Sequence, residues 1–225
     1  MTENVDVMYQ LDKGGKVPKK GRSADIAYDM YTSKDAFLFP SRLKATVVPS
    51  GLHTAFDEEK YGLFISPRSG IMKYPIMLAN STGVIEGGYR GDVGFPLKNT
   101  LAISASSFNR KLLVIGEDGT LESKETHKFF EDGSHDNDYY EELSKLFYDN
   151  SLIYEKLNYK AIETQLKQSI NSHPLYVPTG TLFIPKGTRL CQAYLVEKKE
   201  INFVEVDKLP KSDRGNNGYG SSGIN

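Results

Sequence analysis

Short apolar runs, broken by glycine and proline at close intervals, are what most limits the folds open to this chain. Over its first hundred residues they read VDVMYQL (5–11), AFLF (36–39), LKATVV (43–48), YGLFIS (61–66) and MLANSTGVI (77–85). Most alternate in polarity or are rich in β-branched residues. The same texture returns at TLFI (181–184), RLCQAYLV (189–196) and INFVEV (201–206). Such a pattern predicts an all-β body, a sandwich or a barrel. Pro96, inside DVGFPLKN, predicts an edge, a bulge or the end of its strand, because proline has no N–H for a ladder.

The middle of the chain departs from this texture. KLLVIGEDGTLES (111–123) predicts a hairpin with a Glu-Asp-Gly turn. Residues 136–174 predict helix: Asp138 and Glu141 have the form of a capping box, and Leu143, Leu146 and Phe147 share a face. Tyr159, Ile162, Leu166 and Ile170 form a second stripe that Pro174 ends. These stripes are expected to pack on the β body or on each other. The C-terminal KSDRGNNGYGSSGIN (211–225) has four glycines, three serines, one arginine and one aromatic, too little to build a core.

Composition narrows the function. The chain has 225 residues, enough for one large domain or one domain with an insertion, and a formal charge of −1. Without a global basic field, no nucleic-acid partner is expected, and an anionic ligand must be held by local arginines and backbone donors. One cysteine, Cys191, excludes an internal disulfide framework, fits a reducing compartment and reads as a buried structural thiol. The opening MTENVDVMYQ has no signal-peptide pattern, and no run approaches the ~18 apolar residues of a membrane span. A cytoplasmic protein with no membrane partner is the expectation.

Several stretches carry chemistry. In SPRSG (66–70), Arg68, the Ser69 hydroxyl and Gly70 suit phosphate oxygens, though a plain surface turn reads the same way. In RSADIAYDMYTS (22–33), Asp29 either caps a turn or holds a magnesium ion through water. KGTRLCQ (186–192) supplies Arg189, readable as half of a structural ion pair, and Gln192, whose amide can donate to phosphate. GVIEGGYRGD (83–92) places Glu86 on a glycine turn beside Tyr89 and Arg90. In the tail, Arg214, Tyr219, Gly220, Ser221 and Ser222 combine polyphosphate donors with a stacking ring, without a P-loop ending. The histidines at 53, 127, 135 and 173 lack paired metal spacing.

In order, ADIAYDMYTS, SPRSG, NSTGVIEGGYRGD, KGTRLCQAYL and DRGNNGYGSSG resemble the five motifs of the homotrimeric deoxyuridine triphosphatases (dUTPases), spanning residues 23–99 and 178–225. The resemblance implies an all-β distorted jelly roll, or β-sandwich, with a partly helical insertion. Residues 1–100 and 177–210 would form the core, 101–176 an inserted lobe and 211–225 a glycine-rich arm. It implies three active sites between subunits, each closed by a neighbour's arm, and Mg2+-dependent hydrolysis of dUTP to dUMP and pyrophosphate. By resemblance, Asp29 helps hold the magnesium-bound triphosphate through water. Ser69 and Gly70 meet the phosphates, supported by Arg68, and Gln192 adds an amide. Asn80, Gly83 and Ile85 belong to the hairpin that reads the uracil edge. Tyr89 lies under the deoxyribose. Arg214, Gly220, Ser221 and Ser222 surround the γ-phosphate, and Tyr219 stands where a base-stacking phenylalanine is usual.

Three departures matter. The family's water-activating aspartate is Glu86 here, one methylene longer, and Gly87 and Gly88 are expected to give the backbone freedom to compensate. Pro96 falls in a strand the family runs uninterrupted, where a related deaminase family needs a glutamate, so deamination is rejected. The insertion at 101–176 suggests either a surface for a protein partner or a lobe that buttresses the trimer, and a dUTP-binding regulator with weakened catalysis is the alternative function.

Overall fold

The computed structural model describes residues 4–40, 45–101, 108–126 and 177–212. The chain enters through β1 (Met8–Leu11), β2 (Tyr28–Met30), β3 (Ala36–Leu38), β4 (Thr46–Val48), β5 (Leu52–Ala55) and β6 (Tyr61–Pro67). A short 3-10 helix, Ser69–Lys73, leads to β7 (Ile76–Leu78), β8 (Gly83–Glu86) and β9 (Phe95–Asn99). Then come β10 (Phe108–Asn109), β11 (Lys111–Ile115), β12 (Leu121–Glu125), β13 (Val177–Pro178), β14 (Leu182–Ile184) and β15 (Cys191–Glu197).

Two four-stranded sheets, ordered β2-β15-β6-β8 and β12-β11-β14-β3, and a three-stranded sheet, β4-β9-β7, contribute side chains to one core. The pairs β1-β5 and β10-β13 complete the strands. Burial alternates along β6, β9 and β15, as the two-residue period of a strand facing a core demands. Phe95, Leu97, Leu182, Ile184, Leu190 and Cys191 are fully buried. The architecture is a strand-built sandwich, as the punctuated apolar runs predict.

The hairpin expected at 111–123 is present: β11 and β12 pair with Ile115 opposite Leu121, and Gly119 takes a φ of 78° in the turn. It is built into the body, because β11 also pairs with β14, in parallel, and Ile115 enters the core. Pro96 is the second residue of a strand that is central in its sheet. Its carbonyl accepts from Ala79 N at 2.7 Å, just past the end of β7. In an antiparallel strand a residue's nitrogen points to the same side as its carbonyl, so the missing N–H falls where that ladder has stopped.

One expected strand is not formed. Residues 198–206 have no regular structure, and Ile201, Phe203, Val204 and Val206 are exposed, with Phe203 at 90%. INFVEV finds no strand to pair with among the described residues. The helices expected between 136 and 174 lie outside the described residues.

Candidate active site

The candidate residues gather at two corners of the sheet β2-β15-β6-β8. At the first, Asp29 of β2 pairs with Gln192 of β15, which pairs with Ser66 of β6. Asp29 is 8% exposed, and two guanidinium groups grip it. Arg68 Nε lies 2.6 Å from Oδ1 and Arg189 Nη1 3.1 Å from Oδ2. The ion-pair reading of Arg189 therefore holds. One carboxylate between two guanidinium groups leaves a net positive corner. Arg68 follows the end of β6 in an extended conformation and opens the 3-10 helix. Ser69 on that helix is exposed, and a Cβ at Gly70 would meet nothing within 4 Å, so the glycine leaves open space beside the arginines. Gln192 Nε2 donates to the Pro67 carbonyl at 3.3 Å.

A groove of about 400 Å³ runs along this corner between Arg68, Lys73, Lys186 and Arg189 on one side and the β11–β12 turn on the other. The Tyr74 hydroxyl donates to the Gly119 carbonyl at 3.0 Å and holds that turn in place. Burial, with Asp118 nearby, pushes the Tyr74 hydroxyl above its ordinary pKa. Asp118 is held below the usual carboxylate range, first because it accepts from the Thr120 hydroxyl and then from the Thr120 backbone.

At the second corner β8 pairs with β6, and its last residue, Glu86, stands opposite Gly62 with its side chain exposed. Among the described residues the Glu86 carboxylate makes no hydrogen bond or ion pair. Lys198, kept protonated chiefly by Glu200, also feels its charge. Tyr89 N donates to the Glu86 carbonyl at 3.0 Å and closes the turn. Gly87 and Gly88 are not a hinge. A Cβ on Gly87 would lie 2.6 Å from the Phe56 carbonyl oxygen, and one on Gly88 would collide with the Glu58 carboxylate. Their function is space, which corrects the expectation of a free backbone. Gly91 likewise yields its Cβ position to the Tyr89 phenol, whose hydroxyl donates to the Asp92 carbonyl at 3.2 Å.

Two residues to which the sequence assigned no role, Arg90 and Asp92, knit this loop. Arg90 Nη1 donates to the carbonyls of Gly87 at 2.6 Å, Tyr89 at 3.0 Å and Thr54 at 3.3 Å. The Asp92 carboxylate accepts from Ser50 N and Oγ and from Gly51 N, at 2.8–3.1 Å. The signal was present in the run of arginine and aspartate flanking glycines, where side chains replace absent strand partners. A cavity of about 330 Å³ opens here between Val84, Ile85, Glu86, Tyr89 and Pro96. Gly83 is buried at the start of β8, with the exposed Asn80 in the turn before it.

The two corners do not meet. Asp29 and Glu86 are separated by three strand spacings and four residues of register, about 20 Å in a sheet. One chain alone brings together Asp29, Arg68, Ser69, Gly70 and Gln192, and separately Asn80, Gly83, Ile85, Glu86 and Tyr89. Arg214, Tyr219, Gly220, Ser221 and Ser222 lie outside the described residues. As for a metal, no group of three or more His, Cys, Asp or Glu converges among the described residues. A carboxylate offers about four acceptor positions, so Asp29 can still accept water beside its two arginines. It fits a magnesium ion held through water, not one bound directly.

Comparison with known proteins points to the dUTPases. The dUTPase family model matches residues 13–105. A deoxyuridine 5'-triphosphate nucleotidohydrolase of Tropheryma whipplei is 38% identical over 91 residues, 40% of this chain and 60% of that protein. The corresponding protein of Thermobifida fusca is 34% identical over 92 residues, covering 50% of its length. The chain thus aligns with only about half to three-fifths of these relatives. Among solved structures, the dUTPase of Staphylococcus bacteriophage 80alpha with dUPNHPP is similar at a TM-score of 0.64 and 19% identity, covering 97% of this chain and 99% of that one. The dUTPase of phage phi11 of S. aureus, described with a species-specific insert, is similar at a TM-score of 0.58 and 16% identity, covering 91% and 97%.

Proposed function

We propose that this chain, a member of the dUTPase family, hydrolyses dUTP to dUMP and pyrophosphate. The observation that carries this reading is the division of one sheet into a doubly paired arginine corner and a carboxylate-aromatic corner about 20 Å apart. Each is half of a site that another copy of the chain completes, which is the arrangement expected of a homotrimer. In this reading residues 1–100 and 177–210 form the nucleotide-binding body, 101–176 a lobe and 211–225 the closing arm.

The roles follow from charge and shape. Glu86, exposed and unpaired, orients a water and takes its proton as the water attacks the α-phosphorus; pyrophosphate departs with the bridging oxygen. Tyr89 packs under the deoxyribose and leaves no room for a 2′-hydroxyl. Asn80, Gly83 and Ile85 present the uracil-reading edge, where an unmatched cytosine amino group would cost about 1–3 kcal/mol. Arg68, Ser69, Gly70 and Gln192 hold the phosphates, and Asp29 keeps Arg68 in place while accepting a water. Asp29, through water, would hold a Mg2+ bound with the triphosphate, and that ion would spread charge on the leaving pyrophosphate. Arg214, Tyr219, Gly220, Ser221 and Ser222 of a neighbour's arm cover base and γ-phosphate and exclude solvent.

Pyrophosphate release from dUTP, dCTP and UTP tests the reading. Release is expected from dUTP with magnesium, with little from the other two, and Glu86→Ala is expected to abolish it. No turnover of dUTP would sink the proposal. Glu86→Asp in the same assay reports placement: a large gain would mean the extra methylene holds the base off its ideal position, since ~1 Å is worth about a hundredfold. We further assign the 101–176 segment to contact with a protein partner.

A further inference from the structure

His53 lies in β5, opposite Gln10 of β1, and its imidazole stands between two acceptors. Nδ1 is 2.8 Å from the Arg90 carbonyl oxygen. Nε2 is shut off from solvent and lies 3.2 Å from Asp12 Oδ2, close enough for an ion pair though off the line of a hydrogen bond. A carbonyl and a carboxylate can only accept, so each ring nitrogen needs its own proton. Neutral imidazole carries one. Imidazolium carries two.

The Arg90 carbonyl belongs to the loop whose position decides where Glu86 and Tyr89 stand. From within, the Arg90 side chain fixes the carbonyls of Gly87 and Tyr89. From outside, β5 reaches the same loop through His53 and the Thr54 carbonyl. Resting on the dUTP-hydrolysis reading, we propose that His53 is a positioning residue: as imidazolium it holds the Glu86–Tyr89 turn through the Arg90 carbonyl, and Asp12 keeps it in that form.

The charged groups that act on the ring are Asp12 after β1 and Asp92 beyond the loop. The Arg90 carbonyl first, then Asp12, raise the His53 pKa above its ordinary 6.5, and Asp92 adds to this. The hold is therefore complete below the ordinary value and weakens as pH rises through the raised one, because neutral imidazole cannot serve both acceptors. On deprotonation the ring either turns a lone pair toward the Asp12 carboxylate or leaves the Arg90 carbonyl without a donor.

Steady-state kinetics on dUTP across the pH range, for wild type, His53→Asn, His53→Gln and His53→Phe, test this. The asparagine amide reaches the Nδ1 position and does not titrate; glutamine reaches only toward Asp12. Wild-type kcat/KM is expected to fall about tenfold more than that of His53→Asn on the alkaline side. His53→Asn is expected to rescue the loss seen in His53→Phe and His53→Gln, about tenfold at every pH. If His53→Phe fails to fold, His53→Gln carries the comparison. Wild-type kinetics in the folded variants, or the same alkaline fall in His53→Asn, would overturn the proposal. NMR of the imidazole gives a readout independent of turnover. A His53 midpoint above 6.5 that drops in Asp12→Asn supports the clamp, and one at or below 6.5 overturns it even if dUTP is hydrolysed. Absence of dUTP turnover with a raised midpoint would instead refute the substrate assignment.

Discussion

Gly87, Gly88 and Gly91 look alike in GVIEGGYRGD, yet the structure uses them for different neighbours. None has a positive φ, so the demand on each is room and not conformational freedom. Gly87 faces the Phe56 backbone oxygen, which cannot move cheaply, whereas Gly91 faces the tip of the half-exposed Tyr89 side chain. Gly87→Ala should therefore cost about 1–3 kcal/mol in chemical unfolding. Gly91→Ala should leave stability within about 0.5 kcal/mol but swing the Tyr89 ring, weakening discrimination of dUTP against UTP. Gly70→Ala, with open space around the new methyl group, is the matched control for stability. Equal stability losses in all three would contradict this account. Asp29 makes a related point: the sequence offered it a turn cap or a water-held magnesium, and only the fold revealed the two arginines that neutralise it.

At the scale of elements, the segment called an insertion is not uniform. Its first hairpin is part of the body, with β11 between β12 and β14 and its turn docked on Tyr74 beside the arginine groove. A cut that removes residues 101–176 entirely would take the β11–β12 hairpin, half of a four-stranded sheet, out of the body. Replacing only 127–176 by a short glycine-serine linker spares it. If the lobe holds a protein partner, as proposed, that variant should keep dUTP turnover and nucleotide affinity while losing partner binding. The check is calorimetric binding of a partner recovered with the full chain, beside the same assay on the shortened one. Undiminished partner binding would remove the lobe from the interface. The legibility of elements followed their interactions: strands with alternating burial were readable because neighbours in sequence report the face. The exposed INFVEV segment (201–206) reads as a strand and is not one, because strand texture says nothing about whether a partner strand exists.

On the scale of the whole molecule, the proposed function makes each corner half of a site that a second copy completes. Coexpression of Glu86→Ala with Arg68→Ala chains tests this directly. If the base and the arginine of one site come from different copies, random mixing in a symmetric assembly leaves roughly a quarter of sites with both intact. Activity near that level, from two variants inactive alone, is the expected result. If mixed assemblies form and no activity returns, the two corners do not serve one site. Ile201, Phe203 and Val204, exposed where the chain leaves β15 toward the arm, are the apolar surface such an assembly would cover.

The amino-acid sequence determined the strand-built body, because residue-level alternation and glycine–proline punctuation act locally. It also singled out Asp29, Arg68, Ser69, Gly70, Gln192, Glu86 and Tyr89 as candidates, because each lies in a short stretch whose chemistry spans a few positions, whereas Asn80, Gly83 and Ile85 rested on the family resemblance. Tertiary structure alone decided which of them meet. The grip of Arg68 and Arg189 on Asp29, the His53 bridge between Asp12 and Arg90, and the distance from Asp29 to Glu86 are set by strand register across sheets. Register depends on pairing between segments far apart in the chain, and no local pattern of residues carries it.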